Sequence, residues 1–462
     1  MKNLSNIFSA FSYVFALVLC LSLASCAGEG PNVPVSSVYL DYDALRLYVG
    51  ETAILKAMVS PYNADNQNVS WSSENPDIAS VTDGVVSALA EGQTTIVVVT
   101  EDGGKKATCN LTVKADPNDI VDEELLASDA YDLSSEGTAN CYVVTNPGVY
   151  KFKAVRGNEE TLLEEMDGCS VLWESFGTSV APSPGDLIRQ VGFENGYVLF
   201  KTIDVFKKGN AVIAAMDADG NLLWSWHIWI TDAPKGQVYF NDAGVMMDRN
   251  LGALSATPGN VGAFGLMYQW GRKDPFLGSS SIAVSVKAKS SVAFPPAVSS
   301  DDTVGTIEYT ISHPTTFITG HSGWDWYWYS EGSDTRWTTS ESPKSLYDPC
   351  PAGWRVPDGG YEGFWVKAAA GHDGFYVASD ESLKGTNLSG WFGEDETIWY
   401  PKAGLLDHAT AEVVTVGLYG AFWAAGVSSI VSHCLFIEYD DIIEPVSTIG
   451  RAYGCNVRCV QE

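Results

Sequence analysis

Apolar and polar residues alternate in short bursts from residue 37 onward. The segments VYLDYDALRLYVG, TAILKAMVSP, VSWSSENPDIASV, GVVSALAEGQTTIVVVT and KATCNLTVK, punctuated by Gly, Pro and Asn, predict strands as far as Lys114. Strands this short and this closely spaced predict a β-sandwich over 37–114, with Trp71 as a core indole. Residues 115–128 (ADPNDIVDEELLAS) lose the alternation and read as an acidic linker. A second β-rich region covers 129–244, where Pro147-Gly148 marks one turn and Asp219-Gly220 predicts a hairpin. On the second strand of that hairpin Leu222, Trp224, Trp226, Ile228 and Ile230 share one face, and Leu223, His227 and Trp229 the other. A strand apolar on both faces is expected to be central and covered, with His227 a core histidine. Asp217, Asp219 and Asn221 have calcium-loop spacing, but the rest of a roughly twelve-residue loop is missing, so a plain turn is expected.

From residue 245 to 462 the pattern becomes irregular, with glycine-rich loops and aromatic clusters. One short helix is expected within 361–371, after Pro357. In GWDWYWYS the residues Trp324, Trp326 and Trp328 alternate, so a strand would align three indoles on one face and Asp325, Tyr327 and Tyr329 on the other. Exposed, they make a stacking platform for apolar sugar faces; buried, they are large core pieces. Both readings stay open on the sequence.

The N-terminus reads as a leader over 1–25: Lys2, an apolar run from Ile7 to Ala24, then Leu23-Ala24-Ser25-Cys26. This resembles a bacterial lipobox, which implies a lipid-carrying Cys26, a spacer over 26–36 and a place in the outer membrane, facing the cell surface. Charge changes the picture next. With 27 basic against 57 acidic residues, nucleic acid is excluded as a partner. Seven cysteines follow Cys26, an odd number, and none forms a CxxC or zinc pattern; structural pairing or burial is expected, with no metal or cofactor. No nucleophilic triad, phosphate loop or paired-carboxylate motif stands out, so the chain reads as a binder and not an enzyme.

Two resemblances sharpen this. NVSWSSENPDIASVTDGVVSALAEGQTTIVVVT resembles the bacterial Ig-like domain of group 2, which implies a spacer or adhesive module. GVMMDRNLGALS, GLMYQWGRKDPF, YDPCPAGWRVP, GAFWAAGV and RAYGCNVRCVQE, in that order, resemble the Fibrobacter-type major paralogous domain, which implies an α+β C-type-lectin-like fold over 245–462. In such a frame Pro349 and Pro351 stiffen the chain around Cys350, and Cys459 is its candidate disulfide partner. The fold is similar in shape to formylglycine-generating enzymes, whose paired cysteines Cys455 and Cys459 superficially suggest; the paralogous domain has its recurrent cysteine at Cys459, so that pair looks accidental. Calcium-dependent lectins carry a Glu-Pro-Asn signature where this chain has Glu444-Pro445-Val446; Asp440, Asp441 and Glu444 are the candidates for a structural calcium ion, against an ordinary acidic loop. The expected architecture is multidomain: an all-β Ig-like sandwich, a β-rich middle domain and the lectin-like domain. The expected function is lipid-anchored surface binding or adhesion, as a fimbrial tip or accessory subunit of the Bacteroidetes kind, with a cell-surface protein, a glycan or fimbrial subunits as partners. The rival is a glycan-binding accessory lipoprotein of a polysaccharide-uptake system.

Overall fold

The computed structural model describes residues 33–114, 125, 130–321, 324–329, 335–372 and 376–462. The leader, Cys26 and all of the 115–128 linker except Leu125 lie outside the described residues. The described chain is mostly β-sheet and multidomain, as the alternation predicts.

The first domain is a sandwich. One sheet runs in the order Ala44–Tyr48, Lys106–Lys114, Gly92–Thr100, Val69–Ser73; the other joins Thr52–Ile54, Val85–Ala88 and Ala79–Thr82. Period two sends Cys109, Leu111 and Val113 inward from one sheet, where they meet Ala79, Val86 and Ala88 from the other. Trp71 is half-buried and packs against this core.

The middle region is a second sandwich. One sheet runs Tyr131–Asp132, Val149–Lys153, Tyr197–Thr202, Ile188–Glu194; the facing sheet runs Cys141–Val144, Leu222–Ile230, Gly209–Met216, Gly168–Ser175. Gly209–Met216 and Leu222–Ile230 form the expected hairpin, closed by the Asp217 carboxylate, which accepts from the backbone N–H of Asp219 and Asn221 and from the Asn221 amide. Those bonds explain the Asp/Asn spacing as a side-chain-stapled turn. Trp224, Trp226, Ile228 and Ile230 pack into the sandwich core beside Phe152 and Phe200. Trp229, on the other face, packs with Trp270, Trp337 and Trp423 of the last region. The central strand is thus covered by two different bodies, and the middle and last regions share one apolar core.

In the last region a sheet of Val413–Val414, Leu405–Leu406, Gly454–Asn456, Gly420–Ser428, Val431–Ile437 and Ile443–Gly450 is joined by Met267–Gln269. Among the described residues of this region α-helix is limited to Ile307–Ser312 and Phe364–Ala368, the latter within the stretch where one was expected. One expected boundary moves. Gly236–Tyr239 falls inside the 129–244 span, yet it pairs with Gly244–Met247, which in turn pairs with Val460–Gln461. The cause is the turn between them: Asn241 and Asp242 both take positive φ (57 and 53), the conformation of a tight hairpin. The sheet containing Val460–Gln461 therefore starts at 236, not 245.

Two buried titratable groups in the middle sandwich oppose each other. Burial holds the His227 imidazole down at about 3. Desolvation pushes the Glu174 carboxyl up to about 7, against the opposing backbone N–H groups of Ile188 and Leu187. For His227 the unfolded chain gains its proton first, so its stabilising contribution is present above pH 6.5 and is lost as pH falls towards 3. For Glu174 the folded chain holds its proton longer, so stability is present below pH 4.5 and is lost as pH rises to about 7. Relative to the parent, His227→Gln should tilt stability against pH downward by about 1.4 kcal/mol per unit, and Glu174→Gln upward by a similar amount. Urea midpoints at pH 5 and 6 read this directly; parallel slopes in all three proteins would mean that both groups are hydrated.

Candidate ligand-binding site

Cys350 and Cys459 form a disulfide with Cα atoms 6.0 Å apart. The surrounding YDPCPAGWRVP stretch is a hub. Asp348, fully buried, accepts from the backbone N–H of Cys350 (2.9 Å) and Val356 (3.0 Å), and the Lys344 ammonium donates to the Cys350, Pro351 and Trp354 carbonyls. Trp354 packs half-buried against the same core. Cys455 is a free buried thiol, its pKa pushed up by burial, and the Arg458 guanidinium is engaged by Asn250 and the Trp399 carbonyl. No thiolate-stabilising partner meets Cys455 from that side.

A second thiol has company that the sequence hides. The Cys141 sulfur lies 3.3 Å from His227 Nδ1, and His227 Nε2 lies 2.9 Å from Asn210 Oδ1. This Cys, His, Asn chain has the order of a nucleophilic triad. Burial works against chemistry there: it raises the thiol pKa and lowers that of the imidazole, and all three side chains lie beneath the last region. The arrangement satisfies polar groups inside the shared core. Since Cys141 is 86 residues from His227, period counting could not have joined them.

The acidic stretch is likewise engaged. Asp441 faces the Lys402 ammonium at 3.4 Å, and Glu444 lies within the strand Ile443–Gly450 opposite Phe436. Among the described residues no group of three or more His, Cys, Asp or Glu is placed to hold a metal ion.

The tryptophan run departs from its expected form. Residues 324–329 are not a strand, so the alternation does not align three indoles. Trp326 is fully buried, donating its indole N–H to the Trp270 carbonyl at 2.8 Å, whereas Trp324 and Trp328 are 52% and 41% exposed. The physical reason is Trp324 itself, whose φ of +63 breaks the extended path. That conformation is costly for a bulky residue and persists only when its surroundings impose it. Here they do: Trp324 N–H donates to His321 O, and Trp324 O accepts from Ala452 N–H. Gly450 makes the room, since a Cβ there would sit 2.6 Å from the Trp324 Cβ.

Between the two exposed indoles lies Asp325, fully buried, whose Oδ2 accepts from Arg451 at 2.9 Å and Arg336 at 3.3 Å. Arg336 stacks over Trp326 and Arg451 over Trp270. On this anchored base Trp324 stacks over His408, with ring centroids 5.7 Å apart and planes 24° apart, and Trp328 lies against His321 at 5.0 Å. Tyr453 closes on His408 at 4.6 Å, and exposed Tyr329 extends the surface beyond Trp328. The result is a ribbon of exposed rings with imidazole and phenol edges. It can stack on flat apolar faces and hydrogen-bond at the margins. His321, His408 and Tyr453 were not singled out by sequence; only their contact with the indoles reveals them.

Comparison with known proteins finds likeness over part of the chain. The family profile for the bacterial Ig-like domain (group 2) matches residues 34–111. An Ig-like virion protein of Serratia phage KSP90 is 40% identical over 83 residues, 18% of this chain and 32% of that protein. An uncharacterized protein of Clostridium acetobutylicum is 34% identical over 97 residues, 21% of this chain and 10% of that protein. The chain spans a third or less of the length of these curated relatives. Domains 4 and 5 of the S-layer protein SbsC, a crystal structure, are 22% identical, with 18% of this chain and 53% of that one covered and a TM-score of 0.16. With two facing sheets and a core drawn from both, residues 34–111 are an Ig-like domain of bacterial group 2.

Proposed function

We propose that this chain is a lipid-anchored surface protein that works by binding, with the Ig-like domain as spacer and a C-type-lectin-like frame as the ligand-bearing end. The ligand is a glycan, stacked on Trp324 and Trp328. One observation carries this. Of the 15 tryptophans, 11 are buried and Trp71 and Trp354 are half-buried, while Trp324 and Trp328 stand exposed, one of them in an unfavourable backbone conformation. Isolated exposed apolar residues are ordinary, but two indoles each backed by an imidazole on a charge-anchored base are a built surface. This supports the glycan-binding accessory role over the fimbrial-tip role, for which strand pairing would be the natural contact.

The test uses the whole chain, because the core shared by the middle and last regions would be exposed in a 245–462 fragment. On a glycan array, Trp324→Ala should lower binding at least tenfold with an unchanged unfolding midpoint, since stacking on one aromatic ring is worth about 1.5 kcal/mol or more. Trp326→Ala should instead destabilise the fold by about 3–5 kcal/mol. Binding of no sugar by the parent protein would sink the glycan assignment. For the anchor, Cys26→Ser should move the protein from the membrane to the soluble fraction; persistence at the membrane would refute lipidation there.

A further inference from the structure

Beside the aromatic ribbon the last region carries a cleft of about 530 Å³, within the range of small-ligand sites. Its floor is apolar: Phe276, Phe317 and Leu406 are buried there. Its rim is mixed, with Lys289, Thr410 and Glu412 exposed beside the apolar Val292, Pro295 and Pro296. Both walls are fixed before any ligand arrives. The 287–297 strap is tied to the middle sandwich, with Lys289 N–H donating to Thr178 O, Ser175 Oγ to Lys289 O, and Ser291 N–H to Glu174 O. The opposite wall is a stapled turn: Asp407 Oδ1 accepts from the N–H groups of Ala409 and Thr410 and from Thr410 Oγ, and the Lys287 ammonium donates to Ala411 O at 2.7 Å.

That turn belongs to both places. His408 supports Trp324, and Thr410, two residues on, lines the cleft, so their Cα atoms lie within about 7 Å. The other link is the chain from Phe317 on the cleft floor to His321 beneath Trp328, at most about 14 Å. An aromatic floor ringed by an amine, a hydroxyl and a carboxylate offers an apolar face and several hydrogen-bonding edges together. That is the chemistry that a ring bearing many hydroxyls needs.

Resting on the glycan reading above, we propose that the cleft is a second subsite of the same binding face and that the ligand is an extended oligosaccharide, one unit stacked on Trp324 and a later unit in the cleft over Phe276 and Phe317. A monosaccharide would use one subsite, so affinity should climb with chain length until the second is reached.

Calorimetric titration of the full chain with β-glucan, α-glucan, β-mannan and xylan oligosaccharides of one to six units tests this. The expected result is a series whose affinity rises at least tenfold with length. The double variant Lys289→Ala/Glu412→Ala and the plugging variant Ala293→Trp, on the strap and away from the turn that carries His408, should abolish that rise while leaving affinity for the shortest binding member unchanged. Trp324→Ala should weaken every length. Affinity independent of length, or a length gain untouched by both cleft variants, would overturn the second subsite and leave the Trp324 platform standing. No affinity for any series would overturn the glycan reading and the subsite with it.

Discussion

Replacing Asp325 with asparagine is expected to cost about 3–5 kcal/mol of stability, the range for removing one partner of a buried ion pair. The carboxylate is fully buried and is shared by two guanidiniums, Arg451 at 2.9 Å and Arg336 at 3.3 Å. Both cations are themselves almost wholly buried, so neither can turn to water when the charge is lost. Arg451 also holds Ser432 Oγ at 2.9 Å and the Ser429 carbonyl, which fixes its position and makes escape harder still. Asparagine keeps the shape and one acceptor, so the bond from the Tyr327 N–H (3.0 Å) to the side chain can survive and the loss reports on charge. Urea unfolding followed by tryptophan fluorescence measures it; a loss under about 1 kcal/mol would mean that solvent reaches the cluster. Because Asp325 sits between Trp324 and Trp326, the same variant should loosen the aromatic ribbon and weaken the proposed glycan binding below the unfolding transition.

What the sequence made legible follows from the range of the forces involved. Strand alternation is local, so the N-terminal sandwich, the 217–221 hairpin and the two-sided burial of Leu222–Ile230 could all be read from neighbouring residues. That something covered the His227 and Trp229 face was readable; that the cover was Trp270, Trp337 and Trp423 was not, because those contacts cross dozens of residues. The tryptophan run misled for a definite reason: period two presupposes an extended chain, and a single φ of +63 at Trp324 cancels it. The positive-φ pair Asn241-Asp242 did carry a turn signal, and the 244 boundary overlooked it. The cleft was beyond sequence reasoning altogether, since its 287–297 wall has no periodicity and is held by bonds to Ser175, Thr178 and Glu174 more than 100 residues upstream.

Loss of the Cys350–Cys459 disulfide should have an effect of the same order. The two cysteines are 109 residues apart in sequence, and closing a loop of that length removes about 4–5 kcal/mol of entropy from the unfolded chain in the loop-closure account. The double variant Cys350→Ala/Cys459→Ala isolates the cross-link from the cost of a lone buried thiol, and alanine adds little strain at either fully buried position. Its urea midpoint should fall accordingly. A reductant should lower the parent protein to nearly the same midpoint and leave the variant unmoved, since the other described cysteines are already free thiols. The loss should extend beyond the last region. Both sulfurs sit in the core that also contains Cys141, Trp173, Val212 and Trp229 of the middle sandwich, so the two regions should unfold in one transition, earlier than before. If fluorescence resolved a middle sandwich that outlasted its neighbour in the variant, the shared core would be a contact between independent folds and not a single cooperative unit. The proposed sugar-binding face should respond differently from both: Asp348, with its bonds to the Cys350 and Val356 N–H groups, holds the hub without help from the sulfurs. Below its lowered midpoint the variant should therefore keep the affinity of the parent, which separates the staple's work on the unfolded chain from the work of Trp324 and Trp328 on the folded one.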